Sequence, residues 1–195
     1  MGIYTSIRYR WMLFVDGENL TLRAQEFAKE NSVDLVEGPF YMRDVFVWMP
    51  QFERATAGAY MNFPSSLVNP HAIRAHYYTS AQGDDVKLRE VNETLRKLGF
   101  EPKVFKKSPK RKSKGIDISL STDFLSHAFL NNYDFVALIA GDADYLPLIE
   151  EVKRLGKIVY LTFLSCGLSQ NLRLAADWFG SLDELFLKGW KPQGK

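Results

Sequence analysis

Cysteine is almost missing from this chain. Its 195 residues include one, Cys166, so no internal disulfide can form and no thiolate metal site can be assembled. Histidine is scarce as well, and His71, His76 and His127 lack metal-ligand spacing and read as ordinary residues. No apolar run approaches the roughly 20 residues that cross a bilayer as a helix, so no membrane partner is expected. Near the N-terminus, Arg8 and Arg10 precede a short apolar run, Trp11–Val15, that stops at Asp16. With no small-residue cleavage site after it, that run reads as a strand and not as a signal peptide. A reducing, cytoplasmic setting is the expectation these absences leave.

Acid is missing from one place in particular. From Lys103 to Gly115 the chain reads KVFKKSPKRKSKG, with seven Lys or Arg and no Asp or Glu. Taking those seven from the 25 basic residues leaves 18 against 23 acidic ones, a formal charge of −5 on everything else. The overall charge of +2 therefore hides one basic segment on an acidic protein. Lys106, Lys107, Lys110, Arg111, Lys112 and Lys114 are the candidates for holding a phosphate backbone, and a solvated loop is the plainer alternative.

What is present is ordinary globular material: 46% of residues are hydrophobic, enough for one domain spanning 1–195. Apolar runs recur at Met12–Val15, Ile73–Tyr78, Lys103–Phe105, Phe135–Ala140 and Ile158–Phe163. The first, fourth and fifth are nearly continuous, as strands covered on both faces are. Helical patterns fall between them, over Leu20–Lys29, Asp85–Leu98, Ile116–Leu130 and Tyr145–Leu155. Two of these end in Leu-Gly, at Gly99 and Gly156, where glycine suits the left-handed position after a helix. The alternation predicts a doubly wound α/β fold with a mainly parallel sheet. Residues 33–70 break the rhythm and read as an insertion. It holds a strand-like FYMRDVFVWM (Phe40–Met49) and aromatics (Phe40, Tyr41, Phe46, Trp48, Phe52, Tyr60, Phe63) suited to core packing or a homo-oligomer contact, or else to base stacking.

In open α/β sheets the site lies beyond the carboxyl ends of the strands. Asp16-Gly17-Glu18-Asn19 follows the first strand and Gly141-Asp142-Ala143-Asp144 the fourth, while Asp117 opens the helix between. Crowded carboxylates repel unless a cation joins them or one stays protonated. Oxygen-only ligation suits Mg²⁺ or Mn²⁺, ions that activate water for phosphoryl chemistry. Each acid also has a structural reading. Asp16-Gly17 is turn chemistry, and Asp117 and Asp144 suit helix starts. Asp84 and Asp85 read as helix-start acids only, and Asp123, six residues past Asp117, faces another way and reads as supporting or salt-bridging.

These residues resemble a known family. DGEN (Asp16–Asn19), KGIDISLSTDFL (Lys114–Leu125) and ALIAGDADYLPLIEEVKRLGKIVYL (Ala137–Leu161) are similar to the NYN domain of the LabA-like branch of the PIN-like nucleases. RAHYYTS (Arg74–Ser80) and LSQNLRLAADWF (Leu168–Phe179) match its weaker blocks, so the resemblance runs in order over the chain outside the 33–70 insertion and the last dozen residues. The departures, Ala143 and Tyr145 where the family more often has Gly or Ser and Phe, remove no acid. The resemblance implies a PIN-like, Rossmann-like three-layer sandwich and a Mg²⁺- or Mn²⁺-dependent ribonuclease acting on single-stranded RNA. By position, Asp16, Asp117 and Asp142 would hold metal, Asp144 would be a fourth carboxylate, and Asn19 would orient groups near the metal. Lys114 would contact a phosphate, and the product would carry a 5′-phosphate. A binding or scaffold module of the same fold, with little catalysis, is the rival reading. A haloacid-dehalogenase-type phosphatase, which GDADY superficially resembles, fits less well. It needs an Asp two residues after its nucleophile, where Glu18 stands.

Overall fold

The computed structural model describes residues 9–54, 71–107 and 114–190. Its centre is β1 (Trp11–Asp16), all six residues of which are buried. α1 (Gly17–Glu30) follows without a loop, because Asp16 both ends the strand and caps the helix. Next come β2 (Tyr41–Met42), β3 (Phe46–Val47) and α2 (Pro50–Arg54), then β4 (Arg74–Ala81), α3 (Asp85–Lys97) and β5 (Glu101–Lys106). α4 (Lys114–Phe129), β6 (Phe135–Ile139), a single 3-10 turn (Ala143–Tyr145), α5 (Leu146–Arg154) and β7 (Ile158–Phe163) follow. α6 (Gln170–Ala175), β8 (Trp178–Ser181) and α7 (Asp183–Trp190) complete the described chain.

Six of the described strands form one sheet in the order β5-β4-β1-β6-β7-β8, and every pairing in it is parallel. Alternate residues of β1 point to opposite faces, so one run feeds two cores. Trp11, Leu13 and Val15 pack with Leu20 and Phe27 of α1, Val91 and Leu95 of α3 and Phe186 of α7. Met12 and Phe14 pack with Leu120 and Phe124 of α4, Ile149 and Val152 of α5 and Leu172 of α6. This is the expected three-layer α/β sandwich. From β1 the chain steps outward through β4 to β5, then returns to the other flank of β1 as β6. The reversal makes the carboxyl ends of β1 and β6 a topological switch point.

The terminal glycines behave as expected. Gly99 (φ +93°) and Gly156 (φ +76°) take the left-handed position that closes α3 and α5. Their backbone bonds, Phe100 N–H to Leu95 O at 3.1 Å and Gly99 N–H to Arg96 O at 3.0 Å for α3, are those of a Schellman ending. Asp84 caps α3, accepting from Val86 and Lys87.

Two details differ from the expectation. Phe40–Met49 is not one strand but a tight antiparallel hairpin, β2 with β3, because Asp44 turns the chain at φ +59°. Tyr41, Phe46 and Trp48 of the hairpin and Phe52 of α2 are buried, Phe40 is exposed, and the Tyr77 hydroxyl donates to Val47 O at 2.9 Å, clamping the hairpin to β4. Burial removes those four rings from base stacking, while Tyr60 and Phe63 lie outside the described residues. The second difference is β8, a sixth strand of the sheet too short and too glycine-interrupted to read as an apolar run.

Candidate functional site

The switch point gathers the acids. Asp16 is 3% exposed, at the last position of β1. Its Oδ1 accepts from Asn19 N–H at 3.0 Å and its Oδ2 from the Tyr145 hydroxyl at 2.8 Å. The same tyrosine hydroxyl lies 3.1 Å from Asp117 Oδ1, in the first turn of α4. Residues from β1, α4 and the turn after β6 thus meet on one oxygen. Asp142 caps that turn, accepting from Asp144 N–H at 3.1 Å, and both side chains stand exposed. The cap at this turn is therefore Asp142, and Asp144 is an acid of its first turn, one of the two helix-start roles open to it. The start of α5 instead carries proline and no side-chain cap.

Asn19 works through the backbone of the neighbouring strand's end. Its Oδ1 accepts from Gly141 N–H at 3.1 Å, tying the first turn of α1 to the residue before Asp142. This bond holds the backbone of the loop that carries Asp142. Gly141 has no room for a side chain: a Cβ there would stand 2.4 Å from Phe163 and 2.6 Å from Gly167 O. Glu18, not anticipated as a site residue, accepts from Ser80 Oγ at 2.5 Å and pairs with Lys107 at 3.4 Å.

The electrostatics agree with crowding. Burial, first of all, pushes the Asp16 carboxyl up to about 7. The hydrogen bonds from Asn19 and Tyr145 oppose that shift, and the charges of Asp117 and Glu18 add to it. Asp117 is also raised, chiefly by burial, with Asp142, Asp144 and Glu18 pushing the same way against the hydrogen bond from Tyr145. Asp142 and Asp144 are thus near enough to Asp117 to be felt as charges. Among the described residues, Asp16, Asp117, Asp142 and Asp144 form no ion pair.

A dense, cation-poor set of oxygen ligands suits a hard divalent ion, which commonly keeps several waters and takes one or two carboxylates directly. Among the described residues, however, no three Asp, Glu, His or Cys side chains stand within reach of one ion in this arrangement. The fit thus lies in the chemistry of the donors, with one or two direct carboxylates and the rest of the shell left to water.

The basic segment is described in part. Lys106 approaches Asp85 at 3.9 Å, Lys107 pairs with Glu18 at the rim, and Lys103 pairs with Asp123 at 2.6 Å. Lys110, Arg111 and Lys112 lie outside the described residues, and Lys114 supplies the first residue of α4. Asp123 has the supporting role expected of it. Burial would raise its carboxyl, but hydrogen bonds from Lys103 and the Tyr78 hydroxyl outweigh that and hold it below the usual range. His76 is buried and stacks on Phe14, with ring centroids 4.9 Å apart. A cavity of about 500 Å³ beside it, lined also by Phe100, Lys103, Asp123 and His127, does not include the rim acids.

Sequence reasoning missed Tyr145 and Glu18 as site residues. Tyr145 stood inside GDADY, but nothing in a linear pattern ties it to Asp16, 129 positions away.

Fold and rim together define a class: a doubly wound, parallel α/β protein with an acidic switch-point crevice. The chain belongs to the NYN domain family, whose model matches residues 10–183, and so to the PIN-like nuclease superfamily. An uncharacterized protein of Methanocaldococcus jannaschii is 31% identical over 94 residues, which are 48% of this chain and 36% of that protein. This chain thus spans little more than a third of that relative's length. The crystal structure of a Vibrio parahaemolyticus protein of unknown function shares the fold, at a TM-score of 0.63 and 20% identity, over 93% of this chain and 98% of that one. Among the described residues, no helix is long and apolar enough to cross a membrane.

Proposed function

We propose that this protein is a divalent-metal-dependent ribonuclease of the LabA-like branch, hydrolysing single-stranded RNA at the Asp16–Asp117–Asp142 rim. The observation that carries the reading is the meeting of Asp16 and Asp117 at the switch point, with Asp142 and Asp144 beside them and no described cation pairing any of the four. Of Asp16, Asp117 and Asp142, one or two would hold Mg²⁺ or Mn²⁺ directly and the others through the ion's waters. Such an ion, when bound, supplies an activated water and stabilises charge on phosphorus. Asp16 is held in one orientation by the Asn19 amide and the Tyr145 hydroxyl. Asn19 keeps the Gly141–Asp142 backbone against α1, and Lys107 sits beside the rim to meet a phosphate backbone. Burial of Asp16 excludes water from one side, which strengthens electrostatic interactions on the other.

The rival is an RNA-binding module with little catalysis, favoured by the absence, among the described residues, of three side chains within reach of one ion. One experiment separates the two. Purified protein should degrade unstructured RNA with Mn²⁺ or Mg²⁺ and stop on addition of EDTA. Asp16→Asn should abolish cleavage while leaving RNA binding intact or slightly tighter, since one negative charge is lost near the phosphates. Cleavage that persists in the variant defeats the catalytic assignment, and wild-type protein inert across several RNAs and metals favours the binding module.

A further inference from the structure

Tyr145 has one hydroxyl proton and two carboxylates to serve. Its ring is 1% exposed, packed in the core with Ile149 and Leu148 of α5 and Ile116 of α4, so the hydroxyl cannot swing away to solvent. The oxygen lies 2.8 Å from Asp16 Oδ2 and 3.1 Å from Asp117 Oδ1. A phenol donates a single hydrogen bond. The shorter contact is to Asp16, which is buried and has its other oxygen engaged by Asn19. Asp117 is exposed, and the phenol is its one described hydrogen-bond neighbour in this rim. With the proton shared chiefly toward Asp16, Asp117 Oδ1 keeps only the longer and weaker contact, so it is the carboxylate freer to turn to a nearby cation.

We propose that Tyr145 is the positioning residue of the rim: its hydroxyl locks the orientation of Asp16 and spaces Asp117 from it, leaving Asp117 as the carboxylate that turns toward a divalent cation. This rests on the metal-dependent reading above. The division of labour follows from chemistry. The ring fills core volume, which phenylalanine would fill equally, while the hydroxyl contributes only at the rim. Hydrogen bonds to metal-binding carboxylates fix their geometry, and losing such a partner typically lowers metal affinity or activity about 10–100-fold.

The test is Mn²⁺ binding, read from the electron paramagnetic resonance signal of free Mn²⁺, with wild type, Tyr145→Phe and Asp16→Asn. Wild type should bind, Asp16→Asn should lose that binding, and Tyr145→Phe should bind about 10–100-fold more weakly. At saturating Mn²⁺, Tyr145→Phe should lower kcat for RNA cleavage and leave KM unchanged. Wild-type Mn²⁺ affinity in a folded Tyr145→Phe overturns the proposal and leaves the metal-dependent reading standing. Equal binding by wild type and Asp16→Asn defeats that reading, and the proposal with it. If Tyr145→Phe does not fold, the wild type carrying ¹³Cζ-labelled tyrosine decides. Mg²⁺ should shift one buried tyrosine signal in the wild type and none in Asp16→Asn, and a spectrum unmoved in both overturns the proposal.

Discussion

Asp16 illustrates how one residue can satisfy its structural role and its chemical one together. As a helix cap it accepts the Asn19 amide, so Asp-Gly here starts a helix directly and does not make a turn. As a buried carboxylate it is costly, because ionisation in a desolvated setting beside other acids is unfavourable. Its carboxyl is raised from 3.8 to about 7, so the folded protein holds that proton more tightly than the unfolded chain does. The stability this contributes is fully present below about pH 4 and is lost as pH rises toward 7. Asp117 shifts in the same direction. In EDTA, the melting temperature should therefore fall across this window, and Asp16→Asn should flatten the fall. Mn²⁺ at pH 7.5 should restore stability to the wild type, since a ligand that binds only the folded state stabilises it. Thermal melts at stepped pH check this, and an unflattened slope in Asp16→Asn would show that other groups govern it. At Cys166, by contrast, burial pushes the thiol up to about 11, and nearby Glu26 and Glu30 add to that.

At the scale of elements, the rim depends on close approach at two strand ends. A Cβ on Gly17 would stand 1.9 Å from Tyr77 Cε1, and one on Gly141 would strike Phe163 and the Gly167 carbonyl. α1 can begin directly on β1, and β6 can turn sharply into Asp142, only because glycine occupies both places. Gly141→Ala is expected to cost about 1–3 kcal/mol through overpacking, seen as a lower urea midpoint. Because Gly141 N–H is held by Asn19, the shift should carry Asp142 out of place and lower cleavage in protein that is still fully folded under assay conditions. Full activity with lowered stability would show that Asp142 tolerates displacement.

Over the whole molecule, charge is distributed unevenly, and the described part of the basic segment is already engaged. Lys103, Lys106 and Lys107 each face an acid. Lys106 and Asp85 are largely exposed and 3.9 Å apart, a pairing worth little in water. Lys110, Arg111 and Lys112 stand in a stretch of sequence without acid and are the further candidates for a phosphate backbone. Binding to single-stranded RNA should weaken with salt at a slope of about −0.7 per neutralised phosphate. Replacing those three residues with Ser should flatten the slope, measured by fluorescence anisotropy from low to moderate salt. An unchanged slope would reduce the segment to a solvated loop.

Strand runs such as Met12–Val15 and Phe135–Ala140 were legible because strands buried on both faces leave continuous apolar sequence, and the acids after them inherit their place from the carboxyl-end rule. The Leu-Gly helix endings were legible because only glycine takes the left-handed position freely. By itself, then, the sequence determined the α/β class, the parallel sheet and the strand ends at which Asp16 and Asp142 stand. Tertiary structure alone decided that Tyr145 joins Asp16 to Asp117, that Glu18 reaches Ser80 and Lys107, and that Tyr41, Phe46 and Trp48 of the hairpin serve the core while Phe40 stays exposed. The reason is range. Strand burial and helix ending are written within a few consecutive residues, whereas the Tyr145 hydroxyl meets partners 28 and 129 positions away. Only the crossover that returns the chain from β5 to the flank of β1 brings those partners together.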